Sequence, residues 1–268
     1  MKPMITEKPH TRSSIANEAR ALGVKPGSVL LVHSSLKAIG GWIAGGAEAV
    51  VLGLEDALGE EGTLAMPTQS SDLTDPAIWM APPLDPRWWD LVREEMPLYD
   101  PDLTATRGMG AIPETFRKQR GTLRSAHPHV SFAARGPKAE QIIAGHTLDF
   151  GLGEESPLAR LYELDAWVLM LGTGYYTNTS FHLGEYRAEY RGKRKLHPRA
   201  KVMGEQGPEW VTFEDINFDS EDFERMGEDF ESERGAIIRR GRIGQAQCKL
   251  IPQRALVDYA VRWLELYR

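Results

Sequence analysis

The stretch that most constrains the fold is Val168–Arg187, VLMLGTGYYTNTSFHLGEYR. It opens with an apolar run, Val168 to Leu171, and turns at Gly172-Thr173-Gly174. A polar segment, Asn178-Thr179-Ser180, follows, and then His182 and Glu185. A short apolar run before a glycine turn reads as an interior strand. Asn178, Thr179 or Ser180 can cap a helix. The stretch therefore predicts strand, tight turn and helix, which is where an open α/β sheet places its chemistry. His182 and Glu185 are three apart, so a helix puts them on one face. A carboxylate there fixes the imidazole tautomer and stabilises the imidazolium, as a general base requires. Alternatively, the pair is a hydrogen-bonded structural histidine on a half-buried helix.

The rest of the chain supports the α/β reading. Ser28–Val32 is an apolar strand running into His33-Ser34-Ser35. A glycine-rich loop and a helix over Ala47–Leu58 follow, then a strand over Thr63–Met66 ending at Pro67. Strand, helix and strand with short links make a βαβ unit, so the sheet is at least partly parallel. Helices are expected near 13–23, 110–120, 137–144 and 156–162, and a strand near 130–134. A hairpin is expected over 236–251 with Gly241 near its turn, then a closing helix with Pro252 as its first residue. Between Gln69 and Thr106 the chain holds six prolines and three tryptophans and reads as a long loop. Loops of that length without secondary structure are usually functional; otherwise this one is a well-packed surface excursion. The simplest account is one domain over residues 1–268: a central mixed, partly parallel sheet flanked by helices, with an insertion at about 69–106.

Composition excludes several classes. With 268 residues and 41% hydrophobic content the chain can build a full core. No apolar run approaches the length of a transmembrane helix, and the N-terminal residues lack the apolar core of a signal peptide. A lone cysteine, Cys248, leaves no internal disulfide and reads as a core residue. These features predict a cytoplasmic protein without a membrane partner. A net charge of −6 argues against nucleic acid and is compatible with a cationic ligand.

Several constellations invite chemistry. His33-Ser34-Ser35 offers hydroxyls and backbone N–H groups at a strand end, suited to a phosphate or to ordinary turn capping. Arg124-Ser125 is a second turn suited to an anion. His127 and His129 are candidate metal ligands, although Pro128 restricts their convergence; no metal is expected. Arg187–Lys201 is basic, with seven Lys or Arg against one acid. Glu214–Glu233 is acidic, with ten acids against one base. The acidic run is either a solvated helix face or a surface for ammonium groups. There is no dinucleotide fingerprint, P-loop or GxSxG elbow.

In order along the chain, LLVHSSLKAIG, TLAMPT, RGMGAIPETFRK, LRSAHPHVSFAARGPKAEQII and SPLARLYELDAWVLMLGTGYYTNTSFHLGEY resemble the aminoglycoside N3-acetyltransferases. The likeness spans about residues 10 to 230. It implies the α/β fold of that family, distinct from the commoner acetyltransferases, whose Arg/Gln-x-x-Gly-x-Gly/Ala loop is absent. It also implies acetyl transfer from acetyl-coenzyme A to the 3-amino group of aminoglycoside antibiotics, and hence resistance. By the resemblance His182 is the base; Glu185, three positions on, either orients it or holds another substrate amine. His33, Ser34, Ser35, Leu36, Arg124, Ser125, Gly172 and Thr173 are expected on the cofactor side. Asp72, Asp75, Thr179, Glu214, Asp215 and Asp219 are expected on the substrate side. The alternatives are acetylation of another small amine, a non-catalytic aminoglycoside-binding protein and a metal-dependent hydrolase using His127, His129 and His182.

Overall fold

A computed structural model describes residues 8–268; the first seven residues of the polar N-terminal stretch lie outside it. Helix α1 (Arg12–Leu22) starts from a reciprocal Thr11–Ser14 cap and stops at Gly23. Strand β1 (Val29–Ser34) leads to a one-turn helix α2 (Leu36–Ile39), helix α3 (Gly46–Leu58) and strand β2 (Thr63–Pro67). After the insertion, which carries helix α4 (Trp89–Glu95), come α5 (Ala111–Arg117), β3 (Leu123–Arg124), β4 (Phe132–Arg135), α6 (Ala139–Ile143) and α7 (Pro157–Glu163). The opening stretch of the sequence forms β5 (Trp167–Leu171) and α8 (Ser180–Arg187). Then follow β6 (Lys195–Leu196), β7 (Arg199–Gly204), β8 (Gly207–Thr212), β9 (Asp215–Ile216) and α9 (Phe223–Arg234). The chain ends with β10 (Arg239–Ile243), β11 (Ala246–Pro252) and α10 (Gln253–Tyr267).

Among the described residues the main sheet has seven strands in the order β10-β11-β5-β1-β2-β4-β3. β1 is parallel to both β2 and β5, and the flanking pairs are antiparallel. The mixed, partly parallel sheet is thus as the sequence predicts. Side chains alternate across it with the two-residue period of a strand. Leu31, Val168 and Met170 enter a core under α7, α8, α9 and α10. Leu30, Val32, Leu169 and Leu171 enter a second core under α1, α3 and α5. Covering helices on both faces explain why these strands read as unbroken apolar runs.

The structure corrects several sequence expectations. The 69–106 insertion is not structureless. It contains three short 3-10 turns and α4, and Asp75 pins it between Arg93 of α4 and Arg199 of β7. Lys201 donates to the carbonyls of Arg93, Glu94 and Met96, so part of the basic run clamps the insertion to the β7–β8 hairpin. The β10–β11 turn lies at Gly244-Gln245 rather than at Gly241, which sits within the strand. Pro252 precedes α10 as its cap, and α6 begins two residues after Pro137.

Candidate active site

The parallel strands β2, β1 and β5 end side by side. β1 is the strand from which the chain departs in both directions, to β2 on one side and to β5 on the other, and such a switch point opens a crevice at the strand ends. A cleft of about 580 Å³ lies there. Ser34 and Ser35 enter it from the end of β1, Pro67 and Gln69 from β2, and Thr173 from β5. Gly172 makes this possible. Its φ is +67°, and a Cβ there would lie 2.3 Å from that of Ala38, so only glycine lets the turn pass under α2. Ser35 Oγ caps α2 by accepting from Ala38 N–H at 3.3 Å.

α8 supplies the ionisable wall. A 3-10 turn over Tyr175–Thr177 leads into it, and Asn178 Oδ1 accepts from Ser180 N–H. His182 lines the cleft. Its Nδ1 lies 2.5 Å from Glu185 Oε2, with the histidine side chain 12% exposed and the glutamate fully buried. Glu185 Oε1 accepts from Asp219 N–H and from Arg268. The rings of Phe223 and Phe218 pack on His182, with centroids 4.8 and 5.0 Å away. Among the described residues nothing hydrogen-bonds His182 Nε2, so that nitrogen is left to exchange a proton.

His33 is buried beside this pair, with Nε2 3.4 Å from Thr179 Oγ1. Burial, reinforced by the nearby His182, pushes its pKa down to about 3, so His33 is a neutral group at physiological pH. Ser34 Oγ and Thr173 Oγ1 are buried and have no partner among the described residues. Unpaired buried hydroxyls are costly unless a ligand or water completes them. Besides the two histidines, Lys37 is the charged residue lining the cleft, and among its described lining residues there is no carboxylate.

The remaining predicted residues divide clearly. Leu36 and Thr179 line the cleft with His33, Ser34, Ser35, Thr173 and His182. Arg124 and Ser125 do not. Arg124 is buried, and its guanidinium is taken up by the carbonyls of Thr68, Pro101 and Thr104 and by two hydroxyls. Ser125 Oγ accepts from Phe132 N–H and meets His146. Asp75 is buried between two arginines, and Asp215 accepts from the Tyr186 hydroxyl. Asp72 borders a separate cavity of about 460 Å³ in the insertion, beside Arg107. Glu214 pairs with Lys195, and Asp219 is exposed beside the His182 wall. A larger cavity, about 760 Å³, lies beyond Tyr186 and is lined by neither His33 nor His182.

His127 and His129 are committed elsewhere. His127 Nδ1 accepts from the N–H groups of His129 and Val130, and His129 Nε2 donates to the Leu73 carbonyl. Burial lowers their pKa values to about 2 and about 4. Among the described residues no three His, Cys, Asp or Glu side chains gather as metal ligands. No described helix is long and apolar enough to cross a membrane. Sequence reasoning missed Lys37, Gln69, Gly108–Gly110, Tyr176 and Ser220 as cleft residues. Lys37 could have been found, because it follows His33-Ser34-Ser35 by two positions. Ser220 and Tyr176 reach the cleft only through tertiary packing.

Residues 31–265 match the family model described as aminoglycoside 3-N-acetyltransferase. A curated relative from Bacillus subtilis, the SPbeta prophage-derived aminoglycoside N(3')-acetyltransferase-like protein YokD, is 42% identical, covering 96% of this chain and 93% of the relative. The crystal structure of YokD superposes with a TM-score of 0.93 at 41% identity, covering 98% and 96% of the two chains. The AAC-IIIb enzyme in binary complex with CoASH superposes at 0.85 and 32% identity, covering 97% of each chain. AAC-VIa bound to sisomicin superposes at 0.85 and 29% identity, covering 97% and 98%.

Proposed function

The chain belongs to the aminoglycoside 3-N-acetyltransferase family, and from that premise we propose that it acetylates the 3-amino group of an aminoglycoside with His182 as general base. The observation that carries the reading is the His182–Glu185 pair on the wall of the strand-end cleft. The structural neighbours with bound CoASH and bound sisomicin support the two substrates.

The cleft suits acetyl-coenzyme A. The unpaired hydroxyls of Ser34 and Thr173 can meet its polar atoms, and Lys37 can meet its phosphates. Acetyl-coenzyme A supplies the acyl group as an activated thioester. An ammonium has no lone pair to attack with, so a base must take its proton. His182 Nε2 accepts that proton, while Glu185 holds Nδ1–H and stabilises the imidazolium. The freed amine attacks the thioester carbonyl, and the C–N bond forms as the C–S bond breaks. The nitrogen's second proton balances the coenzyme A thiolate, which leaves as free thiol. His33, neutral and buried, adds no competing charge behind the base. Of the predicted carboxylates, Asp219 is the exposed one beside the His182 wall and can meet another ammonium group of the drug, whereas Asp72 and Glu214 are paired with Arg107 and Lys195 away from the cleft. Asp75 and Asp215 serve the fold. A metal-dependent hydrolase loses its ligands, because His127 and His129 spend their nitrogens on the backbone.

The test is release of free thiol from acetyl-coenzyme A across a panel of aminoglycosides and simpler amines. Turnover with 3-amino aminoglycosides is expected. His182→Ala should lower kcat by about 10²–10⁴-fold and leave acetyl-coenzyme A affinity near wild type. A loss below tenfold would remove His182 as the base.

A further inference from the structure

Glu185 does not act on His182 alone. Its second oxygen is held by Arg268, which follows α10. α10 comes this near because residue 184 is glycine: a Cβ there would lie 2.6 Å from that of Ala260. The close helix contact brings Arg268 to the next residue of α8. Its guanidinium then makes three kinds of contact. It donates to Glu185 Oε1, to the Asp219 carbonyl and to both carboxylate oxygens of Asp222. The segment it grips carries Phe218 and Phe223, which pack on His182, and Ser220, which lines the cleft.

We propose that Arg268 is a positioning residue for the His182–Glu185 pair, fixing the carboxylate and the segment whose phenylalanines pack on the ring. This rests on His182 being the base. A guanidinium fork holds a carboxylate in one plane and one orientation. Arg268 therefore sets which oxygen of Glu185 faces His182 Nδ1 and keeps Phe218 and Phe223 against the imidazole. The charged and titratable groups around the pair are few. His182 faces Glu185 from its own helix, His33 from β1 and, at longer range, Asp215 from β9. Glu185 faces Arg268, with Tyr186 and Tyr190 nearby, and Asp222 lies on the far side of the guanidinium.

The experiment compares wild type, Arg268→Gln, Arg268→Lys and His182→Ala. It measures kcat, KM for each substrate, the melting temperature and the NMR chemical shifts of the His182 ring. In Arg268→Gln, kcat should fall roughly tenfold, with KM for acetyl-coenzyme A changed less than threefold, and the ring signals should move because Glu185 and the phenylalanines lose their anchor. Arg268→Lys restores the charge without the fork, so it should recover kcat only in part. Unmoved ring signals, or a kcat loss that follows only a lowered melting temperature, would overturn the proposal. If His182→Ala keeps its turnover, the general-base reading fails. The ring signals of Arg268→Gln then still report whether Arg268 positions the imidazole.

Discussion

Ser34 and Thr173 carry buried hydroxyls that nothing among the described residues satisfies. Residues kept for stability would be paired, so removing these hydroxyls should cost the fold little. Ser34→Ala and Thr173→Val are expected to change stability by no more than about 0.5 kcal/mol. Each should raise the acetyl-coenzyme A Kd by about 5–10-fold, the worth of about 1 kcal/mol for one hydrogen bond. Calorimetric titration decides this; an unaltered Kd in both would take the hydroxyls out of the binding site. Asp75 is the opposite case. Asp75→Asn leaves Arg93 and Arg199 facing each other without their shared anion, at a cost of about 3 kcal/mol. The insertion should then become the first site of proteolysis, while native Asp75 resists. The sequence shows Asp75 as a carboxylate beyond a strand end. It cannot show that Arg199 returns from another element to neutralise it. Arg124 is hidden in the same way, because the carbonyls that consume it come from a loop whose path the sequence does not encode locally. His182 and Glu185 are readable because they stand three positions apart on one helix.

The elements legible in the sequence are those whose own residues decide them. β1, β2 and β5 are apolar runs because they are buried on both faces. α3 and α10 were legible from their length and apolar face. β3, β6 and β9 have two residues each and exist only through their partners, so no local pattern announces them. α4 was masked by surrounding prolines, which in fact start the short turns leading to it. At this scale the α8–α10 contact gives a further prediction. Gly184→Ala places a methyl against Ala260, an overpacking worth about 1–3 kcal/mol. If the helices part to relieve it, Arg268 withdraws from Glu185. The variant should then lose kcat beyond what its melting temperature explains. Full activity in a destabilised Gly184→Ala would show that the helices yield elsewhere.

Among the described residues three histidines, His33, His127 and His129, are buried and His146 is half-buried; all four are neutral, with pKa values lowered to about 3, 2, 4 and 4. Burial is the leading cause in each. In the unfolded chain they titrate near 6.5. Folded values below unfolded ones mean that the stabilising contribution is complete above pH 6.5 and is lost as pH falls from there toward 4 and lower. The cost is on the order of 1.4 kcal/mol per histidine per pH unit in that window. Urea midpoints should be level from pH 8 to 7 and drop steeply by pH 5.5. Equal midpoints at pH 7 and pH 5.5 would contradict the burial of these rings.

β1 lies between β2 and β5, yet roughly a hundred residues of chain separate those two strands. During synthesis β1 and β2 leave the ribosome first, as an apolar ladder whose outer edge has no neighbour. At about 5–20 residues per second, that edge stays open for on the order of 5–20 s before β5 emerges to cover it. An open hydrophobic edge is a template for pairing with other chains. The cell therefore meets this protein first as an aggregation risk, and its yield depends on whatever shields the nascent β1 edge until β5 arrives.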